Sequence, residues 1–179
     1  VVVTGTVLSS GGAQVVTNGG NASGTQIQVE ATQAINSGGT AISATISSGG
    51  NQTIYAGAIV QATQVSSGGD QRVYTGAVVT GTVLLAGGIQ NVMDGGIASG
   101  TQIQDSGTQV VNSGAVAIGA TISSGGSQTV MLGGVADSAT LSGGSQLVNS
   151  GGTATNTTVN NGGNQVVESG AIVSGTVLN

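Results

Sequence analysis

Apolar and polar residues fall in fixed columns along this chain, and a recurring glutamine sets their phase. It stands at Gln14, Gln33, Gln52, Gln71, Gln90, Gln109, Gln128, Gln146 and Gln165, spaced 19 residues apart except for one interval of 18. Two residues after each glutamine comes Val or Ile, from Val16, Ile35 and Ile54 to Val148 and Val167. Five residues after it comes glycine, from Gly19 to Gly170. Eight residues after it only Ala or Val occurs, as in Ala22, Val60 and Ala136. Thirteen residues after it only Ile, Val or Leu occurs, as in Ile27, Leu84 and Val159. A second turn follows, most often Ser-Ser-Gly-Gly.

A period of this length is the mark of a stacked repeat, in which no unit closes a core alone and neighbours bury one together. Helices do not fit, because Gly-Gly pairs recur within every repeat and each glycine inside a helix costs about 1 kcal/mol. The segments between glycines are short, β-branched and alternating, which predicts strands. Each repeat therefore holds two or three short strands, and each strand pairs in parallel with its counterpart one coil away. The predicted fold is all-β: a parallel β-helix of about nine coils and, at about 4.8 Å per step, about 45 Å long. The general chirality of parallel crossovers favours right-handed coiling. The short interval drops a serine from a turn, at Leu141-Ser142-Gly143-Gly144, where a length change leaves strand parity intact. Residues 1–179 read as one repeat array, a slice of a longer solenoid.

By parity the glutamines share the inward side with the Val column. Stacked amides bonded from coil to coil would satisfy buried polar groups and hold register, so we read the column as a structural ladder. The column three residues after each glutamine should face outward. It carries Tyr55, Tyr74, Met93, Asn112 and Met131 in its central coils, which include both tyrosines and both methionines of the chain. Seven residues after the glutamine, the same coils carry Ile59, Val78, Ile97, Val116 and Val135. A contiguous exposed apolar patch marks an interaction site. Stacking that stabilises the rod explains the same residues equally well.

Composition narrows the function. There are 6 acids against 1 base, no Cys, His or Pro, and a net charge of −5. Phosphate binding needs clustered Lys and Arg, so nucleic acid is excluded as a partner. No apolar run approaches the roughly 20 residues that span a bilayer, so this segment does not insert in a membrane. Glu30, Asp70, Asp94, Asp105, Asp137 and Glu168 are scattered over different columns, and no nucleophile–base or acid–base pair emerges. We expect no enzyme activity, no cofactor and no metal. The repeated Gly-Gly-x-Gly-x-Asp pattern of calcium-binding rolls is absent too.

The repeat itself, Ile46-Ser-Ser-Gly-Gly-Asn-Gln-Thr-Ile54 followed by Gly57 and then Ala-x-x-Thr-x-Val, resembles the passenger repeat of the self-associating autotransporter adhesins of Gram-negative bacteria, the AIDA-type and TibA-type family. The resemblance runs over essentially the whole chain. It implies a right-handed β-helix on the extracellular face of the outer membrane, with a translocator barrel further along the precursor. It also implies autoaggregation and biofilm formation through homotypic pairing between cells, with host-cell adhesion in some members and a role in virulence. Heptosylation of Ser and Thr by a dedicated heptosyltransferase is a further implication, for which the turn serines Ser9, Ser10, Ser47, Ser48, Ser66, Ser67, Ser123 and Ser124 are the matching positions. The competing readings are a carbohydrate-binding β-helix and an inert stalk.

Overall fold

The computed structural model describes residues 1–179. Each coil contributes three strands to three parallel sheets, two of 10 strands and one of 9, in which every strand pairs with the equivalent strands one coil away. The first sheet runs from Val2–Thr4 to Ile172–Ser174, the second from Val7–Leu8 to Val177–Leu178, and the third from Ala13–Val16 to Asn164–Val167. The chain is thus a parallel β-solenoid with no helix. Register is continuous: Gln71 pairs with Gln52 on one side and Gln90 on the other. The 18-residue step does not disturb it, because Ser127 to Val130 pair with Ser145 to Val148.

Three corners shape each coil, and each solves a different backbone problem. After the third sheet comes a turn such as Asn36-Ser37-Gly38-Gly39, closed by Gly39 N–H donating to Asn36 C=O at 2.8 Å. Gly38 has φ +72, the left-handed region that glycine enters without a Cβ penalty. A Cβ on Gly39 would lie 2.6 Å from the Val16 carbonyl oxygen of the preceding coil, so the coils stack too closely there for a side chain. A single left-handed residue makes the bend between the first and second sheets. Gly24, Ser43, Ala62, Gly81 and Asn156 all serve. This bend carries no constant residue: glycine holds it at Gly5, Gly24, Gly81, Gly100, Gly119 and Gly175, and Ser, Ala or Asn elsewhere.

The third corner is the Ser-Ser-Gly-Gly turn. At Ser47-Ser48-Gly49-Gly50 both central residues have positive φ, 52 for Ser48 and 77 for Gly49. Elsewhere the corner varies, with positive φ at Val29 and Glu30 in one coil and at Asp105 and Ser106 in another. The first corner, by contrast, is bonded from coil to coil in an unbroken run, Gly38 N–H to Gly57 C=O at 3.0 Å and Gly76 N–H to Gly95 C=O at 2.9 Å among others. The missing serine falls in the corner that is least bound to its neighbours.

Side chains fill the interior as stacked columns. One cluster joins the Val16, Ile35 and Ile54 column to the Ala22, Ala41 and Val60 column. A second runs along Ile27, Ile46, Val65, Leu84 and Ile103. A further inward column lies eleven residues after each glutamine, where the residue is Thr or Ala: Thr25, Thr63, Thr82, Thr101 and Thr157 are buried, as are Ala44, Ala120 and Ala139. Small residues are required because the second sheet's strands are short and the walls meet here.

Candidate functional site

The glutamine column is internal. Gln33, Gln52, Gln71, Gln90, Gln109, Gln128 and Gln146 are fully buried, and Gln14 and Gln165 in the end coils are half-buried. Each Nε2 donates to the Oε1 of the preceding coil at 2.6–2.8 Å, in one line from Gln33 to Gln165. Within single coils, Thr63, Thr82, Thr101 and Thr157 donate to the Oε1 of their own Gln52, Gln71, Gln90 and Gln146 at 3.0–3.5 Å. No buried side-chain polar atom lacks a partner. An amide supplies both donor and acceptor along the rod axis, which neither a carboxylate nor an ammonium can do.

Ala44, Ala120 and Ala139 leave three rungs, Gln33, Gln109 and Gln128, without that threonine. Ala120→Thr should give the Gln109 Oε1 a second donor at a position whose counterpart in the preceding coil, Thr101, already holds threonine. We expect a gain of about 0.5–1 kcal/mol, read as a higher midpoint in urea unfolding. A loss of stability would show that this corner has no room for the hydroxyl.

On the outer face of the third sheet the column three residues on is itself a ladder. The Tyr55 and Tyr74 rings stack at 5.5 Å between centroids and 17° between planes. Asn112 Nδ2 lies 3.6 Å from Met93 Sδ, and Asn149 Nδ2 lies 3.1 Å from Met131 Sδ. Tyr55 and Met131 are exposed at 44% and 39%, while Tyr74, Met93 and Asn112 are half-buried by their neighbours. The lone base is on this face: Arg72 Nε donates to Asp70 Oδ2 at 2.7 Å, and Asn91 Nδ2 donates to Asp70 Oδ1 at 2.9 Å. The bond and charge of Asp70 hold the guanidinium more firmly protonated than usual. An ion pair this exposed adds about 0–1 kcal/mol to stability, so its position is of more interest than its strength.

The first sheet presents the apolar column. Ile59 and Val78 are exposed at 52% and 45%, and Ile97, Val116 and Val135 at half-buried levels extend the line in register. Beside it Ile118 is exposed, and one coil further Asp137 accepts from Thr155 Oγ1 at 2.6 Å, Asn156 Nδ2 at 3.0 Å and Ser138 Oγ at 3.1 Å. Those bonds, Thr155 first, hold its carboxyl below the usual range.

At the Ser-Ser-Gly-Gly corners, Ser10, Ser48, Ser67 and Ser124 are exposed, and so is Ser9 in the first coil, whereas Ser47, Ser66 and Ser123 are half-buried. Ser138 Oγ bonds Asp137 at the bend between the first and second sheets, and Ser142 Oγ, at the shortened corner, accepts from Asn160 Nδ2 at 3.2 Å. The hydroxyls of Ser9, Ser10, Ser47, Ser48, Ser66, Ser67, Ser123 and Ser124 bond no other side chain. No group of three or more His, Cys, Asp or Glu lies close enough to hold a metal, and no helix is long and apolar enough to cross a membrane. Sequence parity placed the outward columns. It did not reveal the Thr column, whose only signal is that nothing larger than threonine occurs eleven residues after each glutamine.

Comparison with known proteins gives the following. The AIDA family model, described as "Adhesin of bacterial autotransporter system, probable stalk", matches residues 131–179. Among solved structures, the crystal structure of the TibC-catalyzed hyper-glycosylated TibA fragment 55–350 is similar at a TM-score of 0.69 and 35% identity, covering 97% of this chain and 77% of that one. Trypsin-treated QnrB1, a plasmid-mediated fluoroquinolone resistance protein, aligns over 99% of this chain and 91% of its own at 13% identity, but its TM-score of 0.29 carries no argument. No curated protein matches the chain significantly.

Proposed function

The chain belongs to the family of AIDA- and TibA-type bacterial autotransporter adhesins, and we propose that it is a non-enzymatic passenger segment that holds cells together by pairing with copies of itself at the outer-membrane surface. The carrying observation is the apolar line on the first sheet, exposed at Ile59 and Val78 and half-buried at Ile97, Val116 and Val135, on a rod whose interior is already closed. Isolated exposed hydrophobics are ordinary, but a register-aligned line over five coils is a surface suited to another surface of the same kind. With so few charges, contact between two copies meets little repulsion at physiological salt. Autoaggregation, biofilm growth and host-cell adhesion would follow from display of that line on many rods at once, where many weak contacts add.

Glycosylation is part of the same reading. The TibA fragment is hyper-glycosylated by TibC, and the corner serines Ser10, Ser48, Ser67 and Ser124 offer exposed hydroxyls to a heptosyltransferase of that type before export. Sedimentation velocity over a concentration series tests the first claim. The expected result is concentration-dependent association that Val78→Asp with Ile97→Asp abolishes, together with loss of clumping by cells displaying the variant. A rod that stays monomeric at high micromolar concentration, on cells that never clump, would sink it. Intact mass with and without a co-expressed transferase tests the second, with regular sugar increments mapped to the corner serines expected.

A further inference from the structure

The only two tyrosines of this chain stand against each other. Tyr55 and Tyr74 occupy one outward column in adjacent coils, with ring centroids 5.5 Å apart and planes at 17°. Backbone bonds fix that adjacency: Tyr55 N–H donates to Ile35 C=O at 2.9 Å, and Tyr74 N–H to Ile54 C=O at 3.0 Å. The rings are therefore held together by the coil spacing of about 4.8 Å as well as by their own stacking. Tyr55 is 44% exposed and Tyr74 half-buried, so a soluble oxidant meets Tyr55 first. The chain has no Cys, Trp or His to take up a phenoxyl radical formed there.

From this geometry we infer that the pair is an oxidative cross-linking site, where a one-electron oxidant, peroxide acting through a peroxidase, joins two coils by a dityrosine bond. Each phenol loses an electron and its hydroxyl proton to become a phenoxyl radical. Tyr74 reaches that state by passing an electron and a proton to oxidised Tyr55, which is then oxidised again. The two radicals combine through the ring carbons beside their oxygens, and the hydrogens on those carbons move to the oxygens to restore two phenols. Two hydrogens leave the protein, and one hydrogen peroxide becomes two waters. Stacking keeps the partner radicals together, so coupling within one rod outruns coupling between rods at micromolar concentration. The bond ties the coil of Gln52 to that of Gln71, and thiols do not reduce it. A coil in a stacked array is held only by its neighbours, and a cross-link stabilises by restricting the unfolded chain. Oxidation thus hardens the rod, and does so whether or not rods pair with one another.

The sequence supplies the test. Trypsin has one site in this chain, after Arg72, and that site lies between the two tyrosines. The purified chain is treated with a haem peroxidase and hydrogen peroxide, separated from covalent dimers in urea, and digested. Residues 1–72 and 73–179 should stay joined on a denaturing gel, with dityrosine fluorescence and the mass of the parent less two hydrogens. The untreated chain should fall into the two fragments. The treated rod should also unfold at a higher urea midpoint. Tyr74→Phe should leave Tyr55 to couple only with other copies, giving covalent dimers and a monomer whose fragments separate. Tyr74→Phe with Met93→Tyr puts the two phenols two coils apart, about 9.6 Å, and should lower joining within the chain at least about tenfold. Far-UV circular dichroism confirms that both variants remain folded. A treated parent monomer whose fragments separate overturns the inference. So does undiminished joining in the variant with its phenols two coils apart.

Discussion

Gln128→Leu should destabilise the rod by about 2–5 kcal/mol, more than the same change at Gln90. Gln128 Nε2 donates to Gln109 Oε1 at 2.7 Å, and its Oε1 accepts from Gln146 Nε2 at 2.7 Å. Neither rung has a threonine in reserve, since their own coils carry Ala120 and Ala139 at the adjacent inward position. Leucine fills the volume but strands an acceptor above and a donor below, each in a site with no access to water. At Gln90 the neighbours keep alternatives: Thr82 still donates to Gln71 Oε1 at 3.0 Å, and Gln109 Nε2 still reaches Thr101 Oγ1 at 3.1 Å. Urea unfolding followed by circular dichroism measures both. Equal losses at the two positions would show that the threonines play no part in satisfying the ladder. Gln128→Glu adds a pH arm. Only the protonated acid can donate to Gln109, so burial raises its folded-state pKa. The variant should therefore be least stable at neutral pH and should recover toward the parent as pH falls through that raised value.

This ladder was legible in the sequence because parity is rigid in a strand. A glutamine two residues before a constant Val or Ile must share its side of the sheet, and Gln14 through Gln165 do so at every repeat. The columns of Val16, Ala22 and Ile27 were legible for the same reason. The corners were not. The bend at Gly24, Ser43, Ala62 and Asn156 is defined by a left-handed φ that several residue types adopt, so composition does not announce it. Nor did alternation expose Thr63 or Thr82. They precede two-residue strands, Gln64–Val65 and Val83–Leu84, too short to show a period. The outward position of Tyr55 and Tyr74 followed from parity. The approach of Tyr74 to Arg72 needed the turn of each side chain, which a column of letters does not contain.

The largest contrast should come from removing one residue at two nearby places. Deleting Ser124 turns Ile122-Ser-Ser-Gly-Gly-Ser-Gln128 into the spacing that the chain already uses at Leu141-Ser142-Gly143-Gly144-Ser145-Gln146. That native corner keeps the pairing of the next strand intact, Gln128 with Gln146 and Val130 with Val148. The deletion should therefore cost less than about 1 kcal/mol, within the range of a surface change. Deleting Thr129 removes a residue from inside the strand Ser127–Val130. Val130, fully buried, would exchange sides with Met131, which is exposed at 39%. Either the valine leaves the core or the strand slips and Gln128 loses both rungs. Burial of a Val side chain is worth about 1.5–3 kcal/mol, and the stranded amides add a similar amount. In a stacked array each coil is held only by its neighbours, so the damage should divide the rod: the coils after Met131 would unfold before those preceding Ser127. Hydrogen exchange would report early loss of protection at Asn149, Thr153 and Glu168, whose amides bond back to Val130, Gly134 and Val148, with protection retained at Tyr55 and Tyr74. Equal stability of the two deletions would mean that strand parity does not govern this solenoid.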